Sequence, residues 1–340
     1  MYGKEQTLVA ETTRIKEIYE KDINNIDDVY ATLEDNSKKY LKDVVGVGDY
    51  VAYDVTEEVE DQSKLKYESP VGTGMSHGNG HSVQTFTANS NIKWRVLNID
   101  YISGEVTLIS ETPLQTDAGQ DFYLRGAIGY LYAEQELNEI CKIYGYGKGA
   151  NTTKTFEYDT GDVVEGLDKG TIVGSGARSI NADDINKITG YDPTKDNTIK
   201  DTYLKEYTHT IFYPTKTTES GVSQTAENRT DINNIYSYMV SNYIDTTNIK
   251  YELLIKSIEN SSNISYWLAS QGSITNETIK YFNVRAVGDG YLGYGYFGEC
   301  DNEGIHDKNL NSFKIRPIVY LKANLRTTGK DKNGAWVISE

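Results

Sequence analysis

The run KWRVLNIDYISGEVTLIS, residues 93 to 110, decides how this chain is read. Two mainly apolar stretches rich in β-branched residues, WRVLNI and VTLIS, flank a break at Ser103 and Gly104. Runs of that length joined through a glycine predict a β-hairpin, because glycine reaches the positive φ that a tight reversal requires. Outward from it the texture is similar. Short β-rich runs separated by glycine and asparagine turns begin after GVGDY at 46 to 50, with VAYDV as the next strand candidate. They return from Ser265 onward in SYWLAS, TIKYFNVRAV, SFKIRPIVYLKANL and a closing AWVIS.

Between the β-rich parts, RGAIGYLYAEQELNEICKIYG predicts a helix with Ile128, Leu131, Leu137, Ile140 and Ile143 as its apolar face. SINADDINKITGY predicts a second, capped by Asn181 or Asp183, and DINNIYSYMVSNYI and YELLIKSIENSS further short ones. Residues 57 to 90, containing PVGTGMSHGNGHS, read as a loop. The polar, Thr-rich stretch from 191 to 230 reads as a long loop or insertion. Residues 4 to 44 hold no Pro or Gly, and Tyr19, Ile23, Ile26, Tyr30 and Leu33 are spaced 4, 3, 4 and 3 apart. This narrow stripe predicts an amphipathic helix that either lies on its own domain or serves as a stalk or oligomerising segment. The expected organisation is an N-terminal helical segment, 1–45, and one α+β domain, 46–340, of small antiparallel sheets with flanking helices.

With 340 residues, 38% hydrophobic and 25% charged, the chain can bury a sizeable core, and no eighteen apolar residues run together to cross a membrane. The opening MYGKEQTLVAETTR is not written as a signal peptide. Formal net charge is -16, from 50 acidic and 34 basic residues spread along the chain. Without a Lys/Arg stripe to release counterions, nucleic acid is not an expected partner.

Cys141 and Cys300 lie 159 positions apart and read as free thiols, although one disulfide would fit the same count. No nucleophile elbow, phosphate-binding loop, dinucleotide fingerprint or zinc motif is present. The glycines inside HGNGH remove the helical geometry that would let His77 and His81 share a metal. Carboxylate pairs such as Asp183 with Asp184 read as solvated surface, so no catalytic residue and no metal ligand is expected. The weak exception is GECDNEGIHDKN, residues 298 to 309, where Glu299, Asp301, Asn302 and Glu303 could offer oxygens to Ca²⁺ at a spacing unlike that of an EF-hand loop.

Tyrosine is the anomaly, with 28 Tyr against 7 Phe and 3 Trp. Tyr suits both recognition surfaces and the faces of sheets. Its densest cluster is GDGYLGYGYFGEC, residues 288 to 300, where Tyr291, Tyr294, Tyr296 and Phe297 stand among five glycines. Rings mounted on tight glycine turns cannot all enter a core, which predicts a ligand face. The plainer reading is a hairpin whose tyrosines pack on a neighbouring loop. On the first reading Glu299, Asp301, Asn302, His306 and Asn309 supply polar contacts around the rings.

The order GDYVAY, WRVLNIDYISGEVTLIS, LNEICKIYG, ARSINADDINKITGY, YWLAS, YFNVRAV and IRPIVYLK resembles that of uncharacterised bacterial and prophage proteins with a C-type-lectin-like C-terminal domain. The likeness spans roughly residues 46 to 326. It implies a small antiparallel sheet formed by YWLAS, the strand ending in VRAV and RPIVYL. Trp267 and Ser270 would anchor the first strand, Arg285 and Arg316 would pin the next two, and Pro317 would end the ladder at an edge.

The ligand face would then lie between Val287 and Phe313. The chain is also similar to the variable proteins of diversity-generating retroelements, to which Tyr291, Tyr294, Tyr296, Asp301, Asn302, His306, Asn309 and Asn311 have a matching character. The EPN, QPD and WND motifs of calcium-dependent lectins are missing, as is the reactive cysteine pair of formylglycine-generating enzymes.

The likeness implies a non-enzymatic, adhesin-like recognition module outside the cell, on a bacterial surface or a virion, that binds a glycan or protein on another cell or particle. Membrane attachment would come only through an N-terminal anchor missing from this sequence, and homo-oligomerisation through residues 4–44. The alternatives are a pilin-like or phage-tail assembly subunit and, third, a hydrolase using surface carboxylates.

Overall fold

The computed structural model describes residues 38–57, 59–68, 85–88, 90–124, 129–158, 170–172, 175–190, 209–218, 221–229, 248–257, 262–275, 280–288, 291–295, 300–301, 304–305 and 313–339. The strands of its two main sheets, in chain order, are β1 (Lys39–Tyr40), β2 (Tyr50–Ala52), β3 (Trp94–Ile99), β4 (Val106–Ser110), β5 (Tyr123–Leu124), β6 (Ala177–Ser179), β7 (Tyr266–Thr275), β8 (Lys280–Gly288), β9 (Tyr291–Gly295), β10 (Phe313–Lys314), β11 (Pro317–Leu321), β12 (Arg326–Lys330) and β13 (Trp336–Ser339). Three α-helices accompany them among the described residues: α1 (Gly129–Lys142), α2 (Ala182–Thr189) and α3 (Ile249–Ile255).

The hairpin predicted at 93 to 110 is present as β3 and β4, and it forms the middle of an eight-stranded sheet in the order β1-β12-β13-β2-β3-β4-β11-β6. Only the β2–β13 pair of this sheet is parallel. Both faces are covered, which is why β4 and β11 are buried at every position and their sequences read as continuous apolar runs. On one face Val96, Leu108, Val319 and Leu321 pack with Leu137, Ile140 and Cys141 of α1. On the other, Leu97, Ile109 and Ile318 pack with Ile185 and Ile188 of α2 and with Leu253 and Leu254 of α3.

A register shift between Val96 and Asn98 reconciles β3 with both cores. Strict alternation would send Asn98 to the same side as Trp94 and Val96. The extra residue instead delivers Ile99 to that core.

A second sheet of five strands, ordered β9-β8-β7-β10-β5, stands beside the first. The YWLAS strand serves both cores by alternation: Tyr266 and Leu268 join the α2 and α3 side, Trp267 and Ala269 the α1 side. Trp267 is anchored as the motif implied, fully buried and edge-on to Phe313 with ring centroids 4.7 Å apart. The Ser270 hydroxyl accepts the backbone N–H of Ala182 at 2.9 Å, tying β7 to the start of α2.

That helix begins at the predicted cap. Asn181 accepts the N–H of Asp184 and Asp184 accepts the N–H of Asn181, a reciprocal capping box, and Gly190 closes the other end at φ 76°. Leu137, Ile140 and Ile143 are buried as expected, with 143–146 continuing α1 as a 3₁₀ turn; the side chains of Ile128 and Leu131 lie outside the described residues.

Several expectations are corrected. RPIVYL does not join the YWLAS sheet: β11 pairs with β4 and β6 in the large one. Pro317 is accordingly not on an edge strand. It is the first residue of an interior strand, where the missing N–H costs least.

Residues 39–43, expected as the end of a helix, are instead β1 and a 3₁₀ turn over Leu41–Asp43, because Lys39 and Tyr40 find ladder partners in Thr327 and Arg326. Residues 1–37, including the apolar stripe from Tyr19 to Leu33, lie outside the described residues. Within the loop read at 57 to 90, Lys66–Glu68 pairs with Thr85–Thr87; within 191 to 230, His209–Thr218 pairs with Gly221–Arg229. Both are two-stranded ribbons; the first carries Phe86 into the core with Tyr67 packed against it, but KYE and TFT are too short to show an apolar period. HGNGH and the helix expected at DINNIYSYMVSNYI lie outside the described residues.

A glycine pair fastens the end of α1 to β6. A Cβ on Gly145 would stand 2.5 Å from the Gly176 nitrogen and 2.6 Å from that of Ala177, so backbone meets backbone there and no side chain fits. Gly145→Ala is expected to destabilise by about 2 kcal/mol, in the range of other overpacked sites, as read from the shift of the urea midpoint. An unchanged midpoint would show that β6 moves away freely.

Candidate functional site

The glycine-aromatic segment enters the second sheet as its outermost strand. β9 pairs antiparallel with β8, with Tyr291 opposite Gly288, Leu292 opposite Val287, Gly293 opposite Ala286 and Tyr294 opposite Arg285. Ala286 and Val287 are buried, one in each core, so the strand carrying Tyr291 and Tyr294 is registered on a rigid neighbour. Among the described residues, β9 has a ladder partner on one side only. Asp301 lies in a two-residue pairing of Cys300–Asp301 with Gly304–Ile305. Tyr296, Phe297, Glu299, Asn302, His306 and Asn309 lie outside the described residues, as do the side chains of Tyr291, Tyr294 and Asp301.

Where the two sheets meet, the framework carries buried charge. Arg316, fully buried, stands where the chain leaves β10 in one sheet and enters β11 in the other. Continuing the β4–β11 register places Pro317 opposite Ser110, whose carbonyl a proline cannot serve. Arg316 Nε–H takes that carbonyl at 2.7 Å, and Nη1 donates to the Leu253 carbonyl at 2.6 Å. Longer contacts of 3.4 Å reach the carbonyls of Leu254 and Glu111. Arg316 thus pins its strand, as the motif implied.

Arg178 donates to Asp184 through both terminal guanidinium nitrogens, at 2.7 and 2.6 Å, and to the Tyr320 hydroxyl at 2.6 Å. Burial alone would lower its pKa, but Asp184 and Tyr320 outweigh burial and raise it. Cys141 is a buried free thiol, and the side chain of Cys300 lies outside the described residues. Burial pushes the pKa of Cys141 up and leaves it unreactive.

Tyrosine has a third use that composition did not reveal. Tyr53, Tyr144, Tyr266 and Tyr320 are core residues. Tyr53 donates its hydroxyl hydrogen to the Tyr144 carbonyl and accepts the Gly147 N–H, and Tyr266 donates to the Leu254 carbonyl. Tyr53, Trp94, Tyr144, Phe86, Phe122 and Tyr67 form a continuous ring cluster with centroids 5.3 to 6.2 Å apart. Each polar tip that finds a backbone partner makes a tyrosine as acceptable inside as a phenylalanine.

Two clefts open beside this cluster and share Ile92 in their lining. One, of about 300 Å³, is lined by Thr87, Asn91, Thr112, Gln115, Thr116 and Asp117, with buried Tyr144 and with Ile92. The other, of about 480 Å³, is lined by Tyr50, Tyr53, Trp94, Lys93, Asp331 and Asn333, and again by Ile92. Neither brings two carboxylates together. Much of the smaller one's wall comes from ANSNIK at 88 to 93 and TPLQTDAGQ at 112 to 120, two polar turn clusters bracketing the hairpin that nothing in the sequence marks as a site.

Among the described residues no three His, Cys, Asp or Glu side chains are grouped to hold a metal, and no helix is long and apolar enough to cross a membrane. The side chains considered for Ca²⁺ lie outside those residues. No protein-family model, characterised protein or solved structure matches this chain. The fold stands on its geometry as a mixed α+β arrangement of small sheets and few helices.

Proposed function

We propose that this protein is a non-enzymatic recognition module, displayed on a bacterial surface or a virion, which captures a glycan or protein through the edge that begins at β9. The observation that carries the proposal is the place of β9: a Tyr- and Gly-rich strand at the outside of a sheet, registered on a neighbour that buries Ala286 and Val287. An edge strand offers backbone donors and acceptors to a partner, and tyrosines add stacking area and hydroxyls. Tyr291, Tyr294, Tyr296 and Phe297 provide the rings; Glu299, Asp301, Asn302, His306 and Asn309 provide polar contacts at the rim. The C-type-lectin-like order of motifs, which sets its ligand face in this part of the chain, favours the same reading.

The triple variant Tyr291→Ala, Tyr294→Ala, Tyr296→Ala is expected to lose capture on a glycan and peptide array by at least about tenfold, at an unchanged melting temperature. Unchanged capture rejects this face. If the variant instead loses self-association in light scattering, while the array shows no capture by either protein, the edge serves assembly between copies of the chain.

A further inference from the structure

The chemistry of the smaller cleft is uniform enough to define a ligand class. Its walls carry two primary amides, Asn91 and Gln115, and three hydroxyls, Thr87, Thr112 and Thr116. Amides and hydroxyls both donate and accept, and so match a ligand that does the same. The single carboxylate, Asp117, is already engaged: it accepts the Thr87 N–H at 2.6 Å and the Thr87 hydroxyl at 3.3 Å, with acceptor capacity to spare.

No Lys, Arg or His lines this cleft, so nothing there would hold a phosphate or carboxylate. Its apolar part is confined to Ile92, Pro113 and the Tyr144 ring, too little for a lipid chain. A volume of about 300 Å³ lies at the low end of small-molecule sites, roughly 300–1,000 Å³, and suits one saccharide ring.

The setting is rigid. Tyr144 stacks on Phe86 with ring planes 5° apart and meets Trp94 at a centroid distance of 5.6 Å. Residues 112–117 are fixed from both sides, since Leu114 N–H bonds to the Ile315 carbonyl and Phe122 N–H to that of Leu114. Ile92 also lines the 480 Å³ cleft, which contains Tyr50, Trp94 and Asn333, and whose one cation, Lys93, is balanced by one carboxylate, Asp331. A linear ligand leaving the first cleft over Ile92 therefore enters a second with aromatic rings and further polar groups.

We propose that the two clefts together form a groove for an uncharged oligosaccharide, with one ring seated among Asn91, Thr112, Gln115 and Asp117. The groove is separate from the β9 edge, and its occupation does not depend on the function proposed for that edge.

Saturation-transfer NMR with cellotriose, maltotriose and triacetylchitotriose, beside an end-capped trialanine peptide, tests this on the full chain. At least one trisaccharide is expected to receive saturation and the peptide none. For the trisaccharide that binds, the double variant Asn91→Ala, Gln115→Ala should weaken the Kd at least about tenfold at an unchanged melting temperature, from the loss of two amide contacts.

Thr112→Phe, which fills the cleft, should abolish the signal, while the Tyr291, Tyr294, Tyr296 triple variant should leave it intact. Saturation of the peptide alone, silence from all three sugars, or wild-type affinity in both cleft variants would overturn the proposal.

Discussion

Arg316→Met is expected to lower the free energy of unfolding by about 4 kcal/mol, within the roughly 3–5 kcal/mol that breaking a buried charged network costs. Methionine matches the stem but brings no donor. The Ser110 and Leu253 carbonyls, held at 2.7 and 2.6 Å, then lose their guanidinium partners at a fully buried corner. A buried acceptor left unmet costs about 1–3 kcal/mol by itself.

The position compounds the loss, because the chain switches sheets there and Pro317 supplies no N–H to replace the contact. Burial draws the Arg316 pKa down, with Tyr266 and Glu111 pulling the other way; a guanidinium starts so high that it keeps its proton. Arg316→Lys should recover less than half of the loss, since a single ammonium cannot address carbonyls on β4 and α3 in the same fixed fork. Urea unfolding at neutral pH measures both. A loss below about 1 kcal/mol for the methionine variant would mean that water reaches the corner and that the arginine is dispensable.

Glu136→Gln is expected to act in the opposite direction and only at higher pH. Burial, reinforced by neighbouring Glu139, pushes the Glu136 carboxyl from its ordinary 4.5 up to about 7, and its Oε1 has no hydrogen-bond partner. A carboxyl whose folded pKa lies above its unfolded one binds its proton more tightly in the folded state. Stability is therefore greatest below about 4.5, falls as pH rises from there to about 7, and stays at the lower level above that.

The difference corresponds to up to about 3 kcal/mol. Glutamine keeps the shape without the charge, so the variant should be more stable than the parent by about 2–3 kcal/mol at pH 8, shrinking to under about 1 kcal/mol at pH 5. Urea midpoints at the two pH values decide it, and a gain independent of pH would refute the titration of Glu136 as its source.

Much of the local structure was legible. The β3–β4 hairpin, the Asn181 cap of α2, the second half of α1, and the YWLAS and RPIVYL strands are all written in turn residues, caps and apolar runs that act over fewer than about ten positions, whereas the helix expected over YELLIKSIENSS is met only by α3, Ile249–Ile255, and gives way to extended backbone at Lys256–Ser257. The ribbons at 66–87 and 209–229 were not, because three-residue strands with one apolar side chain each, Tyr67 and Phe86, are too short to show a period, and HTIFYPTKTT and GVSQTAENR do not alternate. Nor was the partner of RPIVYL. Its apolar run fits any buried strand, and the choice of β4 and β6 is made by what else fills the two cores.

The candidate sites divide in the same way. Tyr291 and Tyr294 stood out because rings among glycines break the local rules of both helix and core, whereas the edge position of β9 follows from which strands β7 and β8 leave unpaired. The clefts were invisible as sites, since Asn91 and Gln115 lie 24 positions apart in ordinary polar turns and acquire a common space only when β3 and β4 bring those turns together.

By itself, then, the sequence determined where the chain turns, where helices start and which segments must be buried, because these are settled by backbone sterics and side-chain polarity over a few residues. Only the tertiary structure decided the strand order, the core role of Tyr53, Tyr144, Tyr266 and Tyr320, and the burial of a charged Arg316. Each of those depends on a partner far away in the chain: a carbonyl to accept a buried donor, or a second apolar face to exclude water. No local pattern encodes the distance to such a partner, and so the fold had to bring them together before either could be read.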